Sequence, residues 1–290
     1  MAYILDTVGN TPLVELRKLS PNPAVKIMAK LEGNNPGGSV KDRSALNMIR
    51  SALERGDINK QSKLIEATSG NTGIAMALMA NLFDLEIELA MPSNSTRERV
   101  LTMEAFGAKV TLLDSIEICR DYVEEKAAKG EYYLLNQFAN PDNALAHYKA
   151  TGPEIWRDTK GSITHFVSAM GTTGTVMGVS RYLKEQRESI QIIGCQPTDE
   201  SSIPGIRKWP AEYLPKIFDA SRLDRVMEVT QEEAVAATRQ LAKEEGIFCG
   251  MSSGGAATAA LRLSREIDSG VIVFVACDRG DRYLSSNLFG

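Results

Sequence analysis

Short runs of apolar and β-branched residues alternate with amphipathic helical patterns along nearly all of this 290-residue chain. The runs at 25–32, 63–68, 86–92, 109–114, 132–138, 163–170, 190–197 and 271–278 predict strands. Helical patterns at 71–82, 96–106, 117–129, 175–187, 231–245 and 254–267 fill the intervals between them. This order predicts an α/β architecture with largely parallel sheets. The length suits about two domains, and two sheets fit the pattern better than one. The division falls near 138–150, where ANPDN interrupts the alternation before a helix around GPEIWRDT.

In such folds ligands collect at the carboxyl ends of strands, where loops lead into helix N-termini. Three of these junctions are rich in glycine and hydroxyls. EATSGNTGIAMA places Thr68 to Thr72 between a strand and a helix, and SAMGTTGTVMG does the same with Gly171 to Thr175. FCGMSSGGAATAAL puts Ser252 and Ser253 at a helix start. Loops of this kind expose backbone N–H groups at the positive end of a helix, which suits an anion. For any one of them, helix capping and turn formation are an equally good account. Three together favour ligands. Neither G-x-G-x-x-G nor G-x-x-x-x-G-K-[ST] is intact, so a nucleotide is a weak reading.

A fourth stretch, NNPGGSVKDR, predicts a tight loop over 34–39 followed by a helix with Ala45, Met48, Ile49 and Leu53 on one face. Lys41 then falls in the first helical turn, where the macrodipole disfavours a cation. From this segment alone a solvated lysine is the simpler reading; the alternative is that the ammonium is not its working form.

The remaining composition narrows the field. A formal net charge of −4 argues against a nucleic-acid or anionic-membrane surface, and no apolar run approaches a bilayer span. No secretory pattern opens the sequence, so a cytoplasmic location is expected. Cys119, Cys195, Cys249 and Cys277 are scattered and read as reduced core thiols. With only His147 and His165 as histidines, neither a zinc site nor a Ser-His-Asp arrangement is expected. The sequon Asn94-Ser95-Thr96 and the tripeptide Arg279-Gly280-Asp281 read as coincidences.

NNPGGSVKDR, EATSGNTG, GTTGT and CGMSSGGA, in this order and at these separations, resemble fold type II pyridoxal-phosphate enzymes, the tryptophan synthase β-like fold. The likeness is to the O-acetylserine sulfhydrylase (cysteine synthase) branch, and SSIPGIRKWPAEYLP and VACDRGDRYLS resemble its B-type members. It extends from TVGNTPLVEL to the last residues. The resemblance implies two domains, each a mainly parallel twisted sheet covered by helices. Residues 38–145 would form a smaller mobile domain carrying a carboxylate-binding loop, and 1–37 with 146–290 a larger cofactor-binding domain.

The resemblance also implies roles for residues. Lys41 matches the lysine that carries pyridoxal 5′-phosphate as a Schiff base, and once freed it can act as general base. Gly171, Thr172, Thr173, Gly174 and Thr175 match the phosphate cradle. Asn71 matches the asparagine at the cofactor's 3′-oxygen, and Ser252 the serine facing its pyridine nitrogen. Thr68, Ser69, Gly70, Thr72 and Gln137 match the grip on the substrate's α-carboxylate. The implied reaction is β-replacement: O-acetylserine loses acetate and a sulfur nucleophile adds, sulfide giving cysteine and thiosulfate giving S-sulfocysteine. Arg207 and Lys208 form the B-type feature at the site mouth, where relatives often carry two arginines; Lys208 lacks the bidentate fork. A basic surface loop is the alternative account of this pair, and it bears more on Lys208 than on Arg207. Cys277 either lines the same cavity or is a buried strand cysteine. A homodimer with small-molecule substrates, and no metal, is the family's usual form. O-Phosphoserine sulfhydrylase and a cystathionine β-synthase-like enzyme are the neighbouring alternatives, and a non-catalytic binding protein the remote one.

Overall fold

The sequence GVIVFVA forms β10 (Gly270–Ala276) at the centre of the larger sheet in the computed structural model, which describes residues 3–68 and 70–290. Side chains alternate across a strand, so a strand covered on both sides is apolar throughout. Ile272 and Phe274 enter one core cluster, while Val273 and Val275 enter the cluster on the opposite face. The sheet adds β1 (Leu13–Glu15), β2 (Val25–Leu31), β7 (His165–Ala169), β8 (Gln191–Pro197) and β9 (Arg225–Val229), in the order β1-β2-β10-β7-β8-β9. Every pairing is parallel except that of the edge strand β1 with β2.

Between β2 and β7 the chain leaves to build a second, wholly parallel sheet. Its strands are β3 (Lys63–Ala67), β4 (Glu86–Pro92), β5 (Lys109–Leu113) and β6 (Tyr133–Leu134), in the order β5-β4-β3-β6. Helices α1 (Lys41–Arg55), α2 (Asn71–Leu82) and α3 (Arg97–Ala105) share its main core, and α4 (Ile116–Ala128) covers the other side. Thr72 to Ala80 of α2 are all buried, which explains why NTGIAMALMANL has no polar face. A short α5 (Pro141–Ala146), a π-helical turn over His147–Thr151 and α6 (Gly152–Asp158) lead back to β7. The helices α7 (Gly174–Gln186), α8 (Gln231–Glu245) and α9 (Met251–Glu266) complete the larger unit. Among the described residues, no helix is long and apolar enough to cross a membrane.

Three differences from the sequence reading have physical causes. The strand expected over 132–138 stops at Leu134, because Asn136 adopts φ of 55° and turns the chain. The helix expected from 254 starts at Met251, so Gly254 and Gly255 lie inside it. Added Cβ atoms there would come within 2.1 Å of Ala234 O and 2.7 Å of Ile206 Cδ1, so these glycines let α9 pack closely. ANPDN is a helix start, with Asn140 capping α5 and Pro141 at its first position. Of the edge strands not expected from sequence, β1 has only three residues, and β9 (RVMEV) interleaves charged with apolar residues and is largely exposed.

The first turn of α1 is anchored by buried charges. Arg43 binds Glu32 at 2.6 Å and Glu154 at 2.7 Å, and Lys30 meets Glu154 at 2.8 Å. Although burial opposes ionisation, these cations hold the Glu154 carboxyl down at about 2. The start of α1, and with it Lys41, is thereby fixed against both β2 and α6.

Candidate active site

Four helix N-termini supply the glycine- and hydroxyl-rich residues, and a closed series of contacts joins them. Lys41 is the first residue of α1, and its backbone N–H donates to Ser39 Oγ at 3.2 Å. Burial pushes the nearby Cys277 thiol up to about 11, an effect that Lys41 and a Ser252 hydrogen bond oppose. Cys277 stays a neutral thiol at ordinary pH, and its backbone joins the two helix starts: Cys277 O accepts from Val40 N–H at 2.8 Å and its own N–H donates to Ser253 Oγ at 2.9 Å. Ser252 lies buried in the first turn of α9. It packs against Gly205, where an added Cβ would come within 3.2 Å of Ser252 Cβ. A Cβ on Gly171 would in turn come within 2.9 Å of Gly205 O.

Gly171 to Thr175 run from β7 into α7, with Thr172, Thr173 and Thr175 buried. Thr173 adopts φ of 69°, and its buried Oγ1 has no hydrogen-bond partner among the described residues. An orphaned hydroxyl beside a helix N-terminus is a ready donor set for an anion. This loop fits a phosphate without any lysine or arginine. Thr175 Oγ1 lies 3.3 Å from His147 Nε2, and His147 Nδ1 lies 2.9 Å from Thr151 Oγ1. Burial holds His147 down at about 3, so it is a neutral orienting group.

Asn143 continues the series. Its Nδ2 donates to Gln137 O at 2.8 Å and to Thr172 Oγ1 at 3.1 Å, joining the phosphate-sized loop to the other sheet. Gln137 is buried, donates from Nε2 to Ala67 O at 3.0 Å and accepts from Thr72 Oγ1 at 2.7 Å. Thr68 Oγ1 accepts from the backbone N–H groups of Gly70 and Gly73, at 3.1 and 3.0 Å, and shapes the turn into α2. Asn71 begins α2 and donates to Asp278 Oδ2 at 2.7 Å. Backbone pairing of Asp278 with Ser39 brings the series back to Lys41. Ser69 lies outside the described residues.

Aromatic and basic groups lie beside the Gly171 loop, where Arg207 N–H donates to Met170 O at 2.8 Å. Trp209 donates from Nε1 to Gly171 O at 2.7 Å and meets Phe138 edge-on at 5.5 Å. Arg120 of α4 lies over both Phe138 and Tyr213, at 5.1 and 5.4 Å. Arg207 is partly buried, and its Nη1 donates to the carbonyls of Ile203 and Ile206 at 3.3 and 3.0 Å. Burial lowers its pKa, Glu117 opposes that shift and Arg99 adds to it. Lys208 is exposed and paired with Asp199 at 2.6 Å and Glu228 at 2.8 Å. A further guanidinium in this region is that of Arg99, which lies over the Tyr283 ring at 5.3 Å. An added Cβ on Gly70 would come within 3.2 Å of the Arg99 guanidinium.

Sequence reasoning singled out neither Arg99 nor Asn143, Asp278 and Glu66. Glu66, in β3, is buried with Oε2 unpartnered among the described residues. Burial raises its carboxyl to about 8, against the pull of backbone N–H groups at Asn136, Gln137 and Ala67. Its pKa is raised on folding, so the folded chain binds the extra proton between about 4.5 and 8. Stability from this group is therefore complete below that window and is lost as pH rises through it. Glu66→Gln should melt within about 1 °C of the parent near pH 5 and several degrees higher at pH 8. Thermal melts at the two pH values check this; equal shifts at both would contradict it.

The chain matches the family model described as pyridoxal-phosphate dependent enzyme over residues 4–278. It is 58% identical over 289 residues to cysteine synthase B of Pseudomonas aeruginosa, covering 99% of this chain and 97% of that protein. It is 55% identical over 293 residues to cysteine synthase B of Salmonella typhimurium, covering 100% and 97%. The crystal structure of cysteine synthase from Entamoeba histolytica superposes with a TM-score of 0.94 at 37% identity, covering 100% of this chain and 90% of that one.

Proposed function

As a member of the pyridoxal-phosphate dependent enzymes, in their cysteine synthase branch, this chain is a transferase that uses pyridoxal phosphate, and we propose that it makes L-cysteine from O-acetyl-L-serine and sulfide. The same reading extends to S-sulfocysteine when thiosulfate replaces sulfide. The observation that supports it most is the contact series that joins Lys41, Ser252, Gly171 to Thr175, Gln137, Thr72 and Asn71.

When bound, the cofactor supplies an electron sink for the carbanion at the substrate's Cα. Lys41 would hold it through Nζ, Gly171 to Thr175 would take its phosphate, Asn71 its 3′-oxygen and Ser252 its ring nitrogen. A serine hydroxyl is neutral, so it imposes no positive charge on that nitrogen, which suits elimination at Cβ over transamination. The α-carboxylate of O-acetylserine would bind at the start of α2, where Thr68, Gly70 and Thr72 lie, with Ser69 assigned to the same grip. There the Thr72 hydroxyl exchanges its bond to Gln137 Oε1 for one to the carboxylate, and Gln137 offers its second Nε2–H. Once the substrate's amine has displaced it, the freed Lys41 Nζ accepts the Cα proton; acetate then leaves Cβ, sulfur adds there, and Lys41 Nζ returns the proton to Cα. We assign residues 38–145 to a smaller unit that closes over this carboxylate and excludes water, against 1–37 with 146–290. The protein acts as a homodimer in the cytoplasm, where its four unpaired cysteines suit a reducing compartment.

Steady-state turnover of O-acetylserine and O-phosphoserine, each with sulfide and with thiosulfate, tests the reading. O-acetylserine should support both sulfur donors. Use of O-phosphoserine alone would overturn it. Arg207 enters through thiosulfate, whose charge must be met as it leaves water, whereas sulfide needs no clamp. Arg207→Ala should cost about 2 kcal/mol with thiosulfate, roughly thirtyfold in kcat/KM, and little with sulfide. Lys208→Ala should change either reaction less, since Asp199 and Glu228 already hold its ammonium. Equal turnover by Arg207→Ala and the parent with thiosulfate would return Arg207 to the surface.

A further inference from the structure

The segment CDRGDRYL, which contains the Arg279-Gly280-Asp281 tripeptide, has no part in the chemistry above, yet it grips a site residue. Asn71 Nδ2 donates to Asp278 Oδ2 at 2.7 Å, and Arg282 Nη1 donates to Asn71 Oδ1. From these contacts we infer that Asp278 and Arg282 are positioning residues that fix the orientation of the Asn71 amide and leave its second Nδ2–H for the cofactor's 3′-oxygen. The inference rests on the assignment of Asn71 to the cofactor.

An asparagine amide has two nearly equivalent faces, and its hydrogen-bond partners decide which end is oxygen. Here the partners carry opposite charges. Reversing the amide would set its carbonyl against a carboxylate and its NH₂ against a guanidinium, turning two attractions into two repulsions. Asp278 cannot turn to relieve this. It is buried, with Oδ1 accepting from Gly250 N–H at 3.1 Å and Oδ2 also accepting from Tyr283 Oη at 2.7 Å. Arg282 is fixed at its other nitrogen, where Nη2 donates to Gly37 O in the loop before Lys41. The two side chains thus tie the start of α2 to the start of α9 and to the lysine loop. Polarisation by the guanidinium also makes the Asn71 N–H a stronger donor.

Cofactor affinity of the apoprotein, read by quenching of tryptophan fluorescence on titration with pyridoxal phosphate, tests this together with the visible absorption band of the loaded protein. Asp278→Asn and Arg282→Gln should each weaken affinity about tenfold, the cost of one hydrogen bond, and shift the band. In an Asn71→Ala background neither should have a further effect, because the group they act through is gone. Arg282 is partly exposed, so Arg282→Gln carries the same expectation should Asp278→Asn fail to fold. Equal losses in both backgrounds would mean general support of the loops and would overturn the inference, as would no loss in either single variant. If Asn71→Ala alone binds the cofactor with parental affinity and band, the assignment of Asn71 itself fails, and the inference falls with it.

Discussion

Lys41→Ala leaves a folded protein whose turnover of O-acetylserine is slower by about 10⁴-fold or more. The substitution removes Nζ, and with it both the attachment of the cofactor and the acceptor for the Cα proton. It leaves the scaffold alone. The backbone N–H of residue 41 keeps its bond to Ser39 Oγ, and the buried network of Arg43, Glu32 and Glu154 still pins the first turn of α1. Alanine is also a good helix former, so stability should stay within about 1 kcal/mol of the parent. Turnover and a thermal melt on the same preparation separate the two effects. A Lys41→Ala protein with more than a tenth of parental turnover would remove Lys41 from the chemistry.

Gly174→Ala has the second largest expected effect, through the cofactor site rather than the chemical step. An added Cβ would come within 2.1 Å of Asn143 Oδ1 and 2.9 Å of Asn143 Nδ2. Asn143 cannot withdraw freely, because Nδ2 is bonded to both Gln137 O and Thr172 Oγ1. Either the start of α7 moves and its N–H groups lose their convergence, or Asn143 leaves and the two halves of the site separate. Such overpacking costs about 1–3 kcal/mol of stability. Affinity for pyridoxal phosphate should fall by about 10²-fold or more, as several N–H contacts to one phosphate are lost together. Titration of the apoprotein measures this. Parental affinity in Gly174→Ala would mean that the phosphate is held elsewhere.

The parts of the site that could be read from sequence are those whose composition departs from local need. Gly171, Gly174 and the flanking threonines stand at a strand-to-helix junction, and a lysine opens a helix where its charge is unfavourable. The helix at 231–245 carries a clear period and lies where that period puts it, while 71–82 and 86–92 are apolar runs that lie where the sequence placed them. What stayed hidden depends on contacts distant in the chain. Asn143 gains its meaning from Thr172, 29 residues on, and Asn71 from Asp278, 207 residues on. Gly254 reads as a helix start until α8 is seen packed against it inside α9. Lys208 reads like Arg207 until its surface carboxylates are known. Each is a matter of tertiary placement, on which residue type and spacing are silent.

The central claim is that Lys41 holds the cofactor. Reducing the loaded protein with borohydride fixes any imine between lysine and pyridoxal phosphate as a stable amine, and peptide mapping then locates it. The label should fall on the peptide containing Lys41 and vanish in Lys41→Ala. A label on any other lysine of the parent protein would contradict the account.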